Sequence, residues 1–203
     1  MFSLIQAAGW PIWPLIIASV IALAIIAERF WSLRSSMIMP KGLLTQTVQE
    51  YRQNGATPAS LTKLAEGSPL GQVFAAGLKN IKLSPAVVRE SIEESGRAAA
   101  SGLERFLTTL GTIAAVSPLL GLFGTVVGMI EIFGSSSPTG NSNPTQLAHG
   151  ISIALYNTAF GLVVAIPSMI FYRHFRATVD NLLLEMEMQA TKLVEILQGE
   201  RQA

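Results

Sequence analysis

Three long apolar segments dominate the pattern of hydrophobic and polar positions along the chain. The first, from Pro11 to Ala27, contains no charge, and tryptophan or phenylalanine residues stand on both sides of it. The second runs from Leu107 to Phe133 with Glu131 as its single charged residue, and the third runs from about Ile151 to Tyr172. As helices, all three are long enough to cross about 30 Å of hydrocarbon. The pattern predicts an all-α membrane protein with three transmembrane helices.

These segments divide the chain into six parts. The first part is an outward N-terminus with transmembrane helix 1, for which a cleaved signal peptide is disfavoured because no basic region precedes the apolar run. The predicted boundaries are 1–28 for this part, 29–106 for a cytoplasmic helical loop, 107–134 for transmembrane helix 2, 135–147 for a periplasmic loop, 148–172 for transmembrane helix 3 and 173–203 for a cytoplasmic C-terminal helix.

The placement of positive charge predicts the orientation. All 14 Lys and Arg residues fall within Arg29–Arg105 and Arg173–Arg201, and none lies in the first 28 residues or in the loop at 135–147. Cytoplasmic segments of membrane proteins carry an excess of Lys and Arg. We therefore expect a multi-pass membrane protein with an outward N-terminus and a cytoplasmic C-terminus.

The segments assigned to the cytoplasm predict long helical extensions. Glycine and proline residues interrupt Lys41–Ser84, which indicates several short helices. After Pro85 no further proline precedes the second apolar segment. The pattern therefore favours one continuous helix from Pro85 to about Phe133. The amphipathic stretch Arg176–Leu197 needs a partner surface, either the chain's own cytoplasmic loop or a neighbouring subunit.

Small residues line one face of each of the two later spans. They include Gly121, Gly124 and Gly128 in the second span, and Ala154, Thr158 and Gly161 in the third, and Pro167 is a further candidate for helix packing. Such residues let helix backbones approach closely in lipid, where no hydrophobic effect drives association. Because one three-helix monomer cannot satisfy two small faces, we expect assembly into a ring. The alternative is that the faces only pack together, with each threonine bonded to its own helix.

Two sequence strings identify a family. LGLFGTVVGMI at Leu120–Ile130 and TAFGLVVAIP at Thr158–Pro167 resemble the paired signature of the MotA/TolQ/ExbB proton-channel family, in its ExbB and TolQ branch. The three-span layout extends this resemblance over nearly the whole chain. It implies a homopentamer whose second and third spans line a central pore. Thr125 and Thr158 match the family's pore-facing threonines.

The resemblance also implies partners. A dimer of a single-span protein of the ExbD or TolR type lies inside the pore and carries the proton on an aspartate, and a TonB or TolA type protein delivers the work. Proton transfer across a membrane needs a titratable group, and this chain has none at mid-depth. Either a partner provides the missing carboxylate, which is chemically easier, or the pathway is a file of water along hydroxyls.

Glu131 is the only acid within the apolar segments, about one turn from the outward end of the second span. It either extends to the membrane interface or attracts cations to the outer mouth of the pathway. The chain departs from the family pattern at Ile153, where many members have a glutamate. If that glutamate relays protons in the family, Ser152, Asn157, Glu131 or water must relay them here. His149 is interpreted as an interfacial hydrogen-bonding residue.

Composition excludes several other functions. Half of the 203 residues are hydrophobic, and the net charge of +1 predicts no nucleic-acid partner. The sequence contains no cysteine, and its two histidines are too far apart for a local metal motif, so we expect no metal, no cofactor and no enzymatic activity. The lipid bilayer is the expected surrounding.

The expected function is a proton-channel subunit of an ExbB-ExbD-TonB type inner-membrane motor, which uses the proton motive force to energise outer-membrane transport. Two alternatives stay open. One is a TolQ-type subunit for envelope maintenance, and the other is a scaffold that binds a partner helix without conducting. A secondary transporter is disfavoured because the sequence shows no internal repeat.

Overall fold

The chain is helical throughout the part that the computed structural model describes, residues 9–135 and 144–198. The first eight residues, 136–143 and 199–203 lie outside the described residues, and most of the predicted periplasmic loop lies among them. No strand occurs in the described ranges. Their helices are α1 Ile12–Ser32, α2 Ser35–Ile38, α3 Leu43–Asn54, α4 Pro58–Gly67, α5 Pro69–Lys79, α6 Pro85–Leu103, α7 Leu107–Ser135 and α8 Pro144–Gln198.

Three of these helices are long and apolar enough to cross a membrane, as predicted. They are α1, α7 over Leu107–Gly134, and α8 within Gly150–Gln198. Large apolar side chains on them are more than half exposed, among them Ile17, Leu23, Leu119, Ile130, Val163 and Ile170. An apolar surface of this extent suits lipid rather than water.

The predicted short helices between the first two spans are confirmed as α3, α4 and α5. Proline stands in the first turn of α4 and α5, where its missing N–H is not needed. The hydroxyl groups of Thr57 and Ser68 cap these helices by accepting from the backbone N–H of Ser60 at 3.3 Å and of Gly71 at 3.0 Å. Local capping chemistry thus fixes where each helix begins.

The expected single helix from Pro85 to Phe133 is wrong. Helix α6 ends at Leu103, Phe106 adopts a left-handed backbone conformation with φ of 64°, and α7 begins at Leu107. A left-handed residue cannot continue a right-handed α-helix, and phenylalanine rarely adopts it without support from its surroundings. The extension and the second span are therefore separate helices.

The chain folds into two compact units. Unit 1 comprises the described parts of Met1–Glu28 and Phe106–His174, and unit 2 comprises those of Arg29–Arg105 and Phe175–Ala203. Helices α1 and α8 contribute residues to both units.

Unit 2 buries the amphipathic stripe of α8 on its own chain. A Cβ placed on Gly77 of α5 would lie 3.3 Å from the Ile92 side chain of α6 and 3.7 Å from Val194 Cγ2 of α8. In the part of α8 that belongs to unit 2, the residues with less than a tenth of their surface exposed are Phe175, Val179, Leu182, Met186, Ala190, Leu193 and Ile196. Of the two predicted partner surfaces, the chain's own extension is confirmed, and packing between subunits stays a prediction.

Candidate functional site: the contact between α7 and α8

Within unit 1, the backbones of α7 and α8 are in direct contact. A Cβ placed on Gly161 of α8 would lie 2.6 Å from the Ser117 carbonyl oxygen and 3.2 Å from Gly121 Cα. No real side chain fits at such distances, and the atoms in the way belong to the backbone. Glycine at position 161 is therefore what allows the two helices to touch at this level.

The contact continues along α7 through two more glycines. A Cβ on Gly121 would lie 2.8 Å from the Asn157 carbonyl oxygen and 3.0 Å from Thr158 Cα. A Cβ placed on Gly128 would lie 3.2 Å from Ala154 Cβ. The small faces of the two spans thus face each other within one chain.

At Gly124 the space is filled by a side chain from α8. A Cβ on Gly124 would lie 2.8 Å from both Cβ and Cγ of Asn157, and 3.1 Å from its Nδ2 atom. Only 1% of the Asn157 surface is exposed. From the sequence, Asn157 is predicted only as a substitute for the glutamate that is absent at position 153. Its position three residues after Ala154 nevertheless places both residues on one helical face.

The two predicted threonines lie next to this contact and bind each other. Their Oγ1 atoms are 2.5 Å apart, which is a short hydroxyl–hydroxyl hydrogen bond. Thr125 Oγ1 also lies 3.1 Å from the Gly121 carbonyl oxygen and 3.2 Å from the Ala154 carbonyl oxygen. Both residues are half-buried.

The number of hydroxyl hydrogens determines which group donates in each hydrogen bond of this network. Each hydroxyl has one hydrogen to donate, and a carbonyl oxygen can only accept. When Thr125 donates to one of its two carbonyl neighbours, the bond between the hydroxyls needs Thr158 as its donor. The pair therefore links α8 to α7 through a side chain as well as through backbone packing, and Thr125 is bonded to both helices.

Chemically, the pair can orient a proton or a water molecule but cannot hold a charge. A threonine hydroxyl donates and accepts hydrogen bonds without ionising in the physiological range. No group of three or more histidine, aspartate or glutamate residues that could hold a metal ion occurs in the described parts of the chain.

The other predicted site residues lie apart from the pair. Glu131 is exposed near the end of α7, and Pro167 is exposed inside α8, away from the glycine contact. Ser152 donates to the Ala148 carbonyl oxygen at 2.9 Å. The side chains of His149 and Ile153 lie outside the described residues. The packing role of Pro167 and the mouth role of Glu131 stay predictions.

The structure removes one reason for expecting a ring. The small faces of the second and third spans satisfy each other through Gly121, Gly124, Gly128 and Gly161 inside one chain. They no longer require a neighbouring subunit, so the expected pentamer depends on the family resemblance alone.

Comparisons with known proteins agree with the resemblance. The model of the MotA/TolQ/ExbB proton channel family matches residues 65–188, which include both threonines. Putative biopolymer transport protein ExbB-like 3 of Synechocystis is 36% identical over 170 residues, covering 81% of this chain and 79% of that protein. Biopolymer transport protein exbB1 of Vibrio cholerae is 31% identical over 194 residues, covering 90% and 82%. Tol-Pal system protein TolQ of Pseudomonas aeruginosa is 33% identical over 173 residues, covering 80% and 68%.

Proposed function

Because the chain belongs to the MotA/TolQ/ExbB proton channel family, we propose that it is the proton-channel subunit of an ExbB-ExbD-TonB type motor. This motor uses the proton motive force across the bacterial inner membrane to energise outer-membrane transport. The observation that carries the proposal is the Thr125–Thr158 pair, which places two hydroxyls 2.5 Å apart in spans that are mostly apolar. The ExbB names of two relatives support the branch.

In the proposed mechanism, α7 and α8 of a homopentamer line a pore that encloses the single helices of an ExbD or TolR type dimer. The partner's carboxylate carries the proton, because proton transfer across the membrane needs a titratable group at mid-depth and this chain has none there. Thr125 and Thr158 supply hydrogen bonds to water or to that carboxylate, and Glu131 attracts cations at the outer mouth. The N-terminus lies in the periplasm and the C-terminus in the cytoplasm.

A direct test is proton flux into vesicles that contain the chain together with its ExbD or TolR type partner. Flux that needs both proteins, and is lost when the partner's intramembrane acid is changed to its amide, supports the channel. Vesicles with either protein alone are the controls. Stable binding of the partner without flux supports the scaffold instead. The threonine pair suits that role too, because its hydrogen bond forms within one chain.

The TolQ-type role is the second candidate, and the 33% identity to a TolQ protein favours it. The neighbouring genes distinguish the two roles. A TonB-like gene beside this one indicates nutrient uptake, and a TolA-like gene indicates envelope maintenance. Complementation decides directly: restored uptake in a strain without ExbB supports the first role, and restored detergent resistance in a strain without TolQ supports the second.

A further inference from the structure

Asn157 occupies a distinctive place in the contact between α7 and α8. A Cβ added to Gly121 or Gly161 would face backbone atoms, and one added to Gly128 would face a methyl group. A Cβ added to Gly124 would instead face the branched side chain of Asn157. Asparagine therefore fills the notch that the absent side chain of Gly124 leaves open. The fit is close, because even one added carbon on Gly124 would overlap two Asn157 atoms at 2.8 Å.

We propose that Asn157 is a positioning residue for the threonine pair: its side chain, seated in the notch at Gly124, sets the spacing of α7 and α8 at which Thr125 and Thr158 reach each other. Thr158 follows Asn157 directly on α8, and Thr125 follows Gly124 directly on α7. The notch and the hydroxyl pair are therefore adjacent on both helices. This inference rests on the proposed function only in so far as the pair serves the ion pathway.

The geometry makes the pair sensitive to this spacing. Hydroxyl–hydroxyl hydrogen bonds have lengths of about 2.5–3.0 Å, so a change of about 1 Å in the distance between the helices breaks the bond. Removing the Asn157 side chain leaves a void that the helices fill only by shifting. Adding one methylene, as in Asn157→Gln, overfills the notch and pushes them apart, since packed interiors tolerate neither change without movement.

The proposal assigns the role to the shape of the side chain. Threonine is branched and has nearly the same volume as asparagine, but it has no amide group. Asn157→Thr should therefore keep the spacing and the flux, whereas Asn157→Ala should lose both. An exposed leucine two residues away provides the control, because Leu155 is 58% exposed and Leu155→Ala changes the side chain volume outside the contact.

The absence of cysteine from the sequence allows the spacing to be measured directly. A Cβ on Gly128 would lie 3.2 Å from Ala154 Cβ, close to the range of about 3.5–4.5 Å that a disulfide requires. Gly128→Cys with Ala154→Cys therefore gives a reporter about one turn from the notch. Mild oxidation followed by a maleimide that adds mass to free thiols counts the unlinked cysteines, and links between chains appear as dimers.

The experiment measures the rate of disulfide formation in the full chain, and proton flux in matching variants without the reporter cysteines. We expect Asn157→Ala and Asn157→Gln to slow disulfide formation and lower flux by about fivefold, the factor that one net hydrogen bond contributes to an equilibrium. Asn157→Thr and Leu155→Ala should leave both measurements near those of the unchanged chain. Membrane abundance is measured in every variant.

Rescue separates positioning from simple damage. Gly124→Ala alone should clash with Cβ and Cγ of Asn157, and combining it with Asn157→Gly removes both atoms and places a methyl group on the other helix instead. The double variant should recover the disulfide rate and the flux. If Asn157→Ala does not accumulate in the membrane, the comparison of Asn157→Thr with Asn157→Gln gives the same decision.

Three results overturn the proposal. They are an unchanged disulfide rate in Asn157→Ala, a lower rate with unchanged flux, and loss of flux in Asn157→Thr with an unchanged rate, which would assign the role to the amide itself. The disulfide readout needs no transport. A chain that conducts no protons under any condition would therefore disprove the proposed function while leaving the spacing measurement to decide on Asn157.

Discussion

The guanidinium group of Arg29 donates a hydrogen bond of 2.9 Å from Nη1 to the carbonyl oxygen of Leu103, 74 residues away in the sequence. Leu103 is the last residue of α6, so this carbonyl has no partner further along its own helix. Arg29 is only 4% exposed, and a positive charge at a helix C-terminus is favoured by the helix dipole. The end of α6 is thus held by a residue of α1.

This relationship predicts that Arg29→Met destabilises the chain. Hydrogen bonds to charged groups contribute about 1.5–3 kcal/mol, and we expect a loss of that size because the carbonyl of Leu103 stays buried without its donor. The measurement is the midpoint of thermal unfolding in mild detergent. Arg52→Met is the matched control, because it removes the same charge from an exposed position in the last turn of α3. Equal midpoints for both variants would contradict the clamp.

The glycine contact between α7 and α8 predicts a strong effect of one added methyl group. In Gly161→Ala the new carbon would meet the Ser117 carbonyl oxygen at 2.6 Å, and backbone atoms cannot turn aside as a side chain can. Overpacking of this kind costs about 1–3 kcal/mol. Gly134→Ala is the control because its added carbon has open space around it. Thermal unfolding of the two variants should separate clearly, and a stable Gly161→Ala protein would show that the helices can move apart freely.

The features that the sequence predicted correctly depend on local patterns. Three spans follow from the length of the apolar runs, and the short helices follow from the glycine and proline residues that interrupt the segment between the first two spans, as Pro69 does. The small faces are readable too, since spacings of three and four residues place side chains on one side of a helix.

The features that the sequence did not predict depend on residues distant in the chain. The break after Leu103 contains no proline. Arg29 of α1 binds the Leu103 carbonyl oxygen there, and Nη1 of Arg176 lies 3.3 Å from Oε2 of Glu104. The match between Asn157 and Gly124 is also a pairwise property. A sequence shows that each residue lies on a small face, but not which residue of the other helix it meets.

The proposed pentamer is tested by native mass spectrometry of the protein released in mild detergent. We expect the mass of five chains, on the basis of the family to which the chain belongs. Because the glycine faces are already used within one chain, Gly161→Ala should lower the stability of each subunit and not only its assembly. A sample that contains only monomers or dimers would contradict the ring.

Thr158→Val should impair energised function without lowering membrane abundance. Valine keeps the shape of threonine and removes the hydroxyl, so the hydrogen bond to Thr125 is lost while the glycine contact stays. Thr125 keeps its two carbonyl neighbours and is not left without an acceptor. Complementation is measured beside a blot for protein level and a pull-down of the partner. Thr158→Ser, which retains the hydroxyl, should keep most of the activity.

Thr125→Val should be more harmful than Thr158→Val, because Thr125 is the member of the pair that is bonded to both helices. Its loss removes the hydrogen bond that Thr125 donates to the carbonyl oxygen of Gly121 at 3.1 Å or of Ala154 at 3.2 Å, and it leaves Thr158 without its hydroxyl partner. We therefore expect Thr125→Val to lower thermal stability by about 1 kcal/mol in addition to impairing function, the usual contribution of one hydrogen bond. The double variant decides between a pathway role and packing alone. Full activity of Thr125→Val with Thr158→Val at normal abundance would show that neither hydroxyl takes part in proton movement.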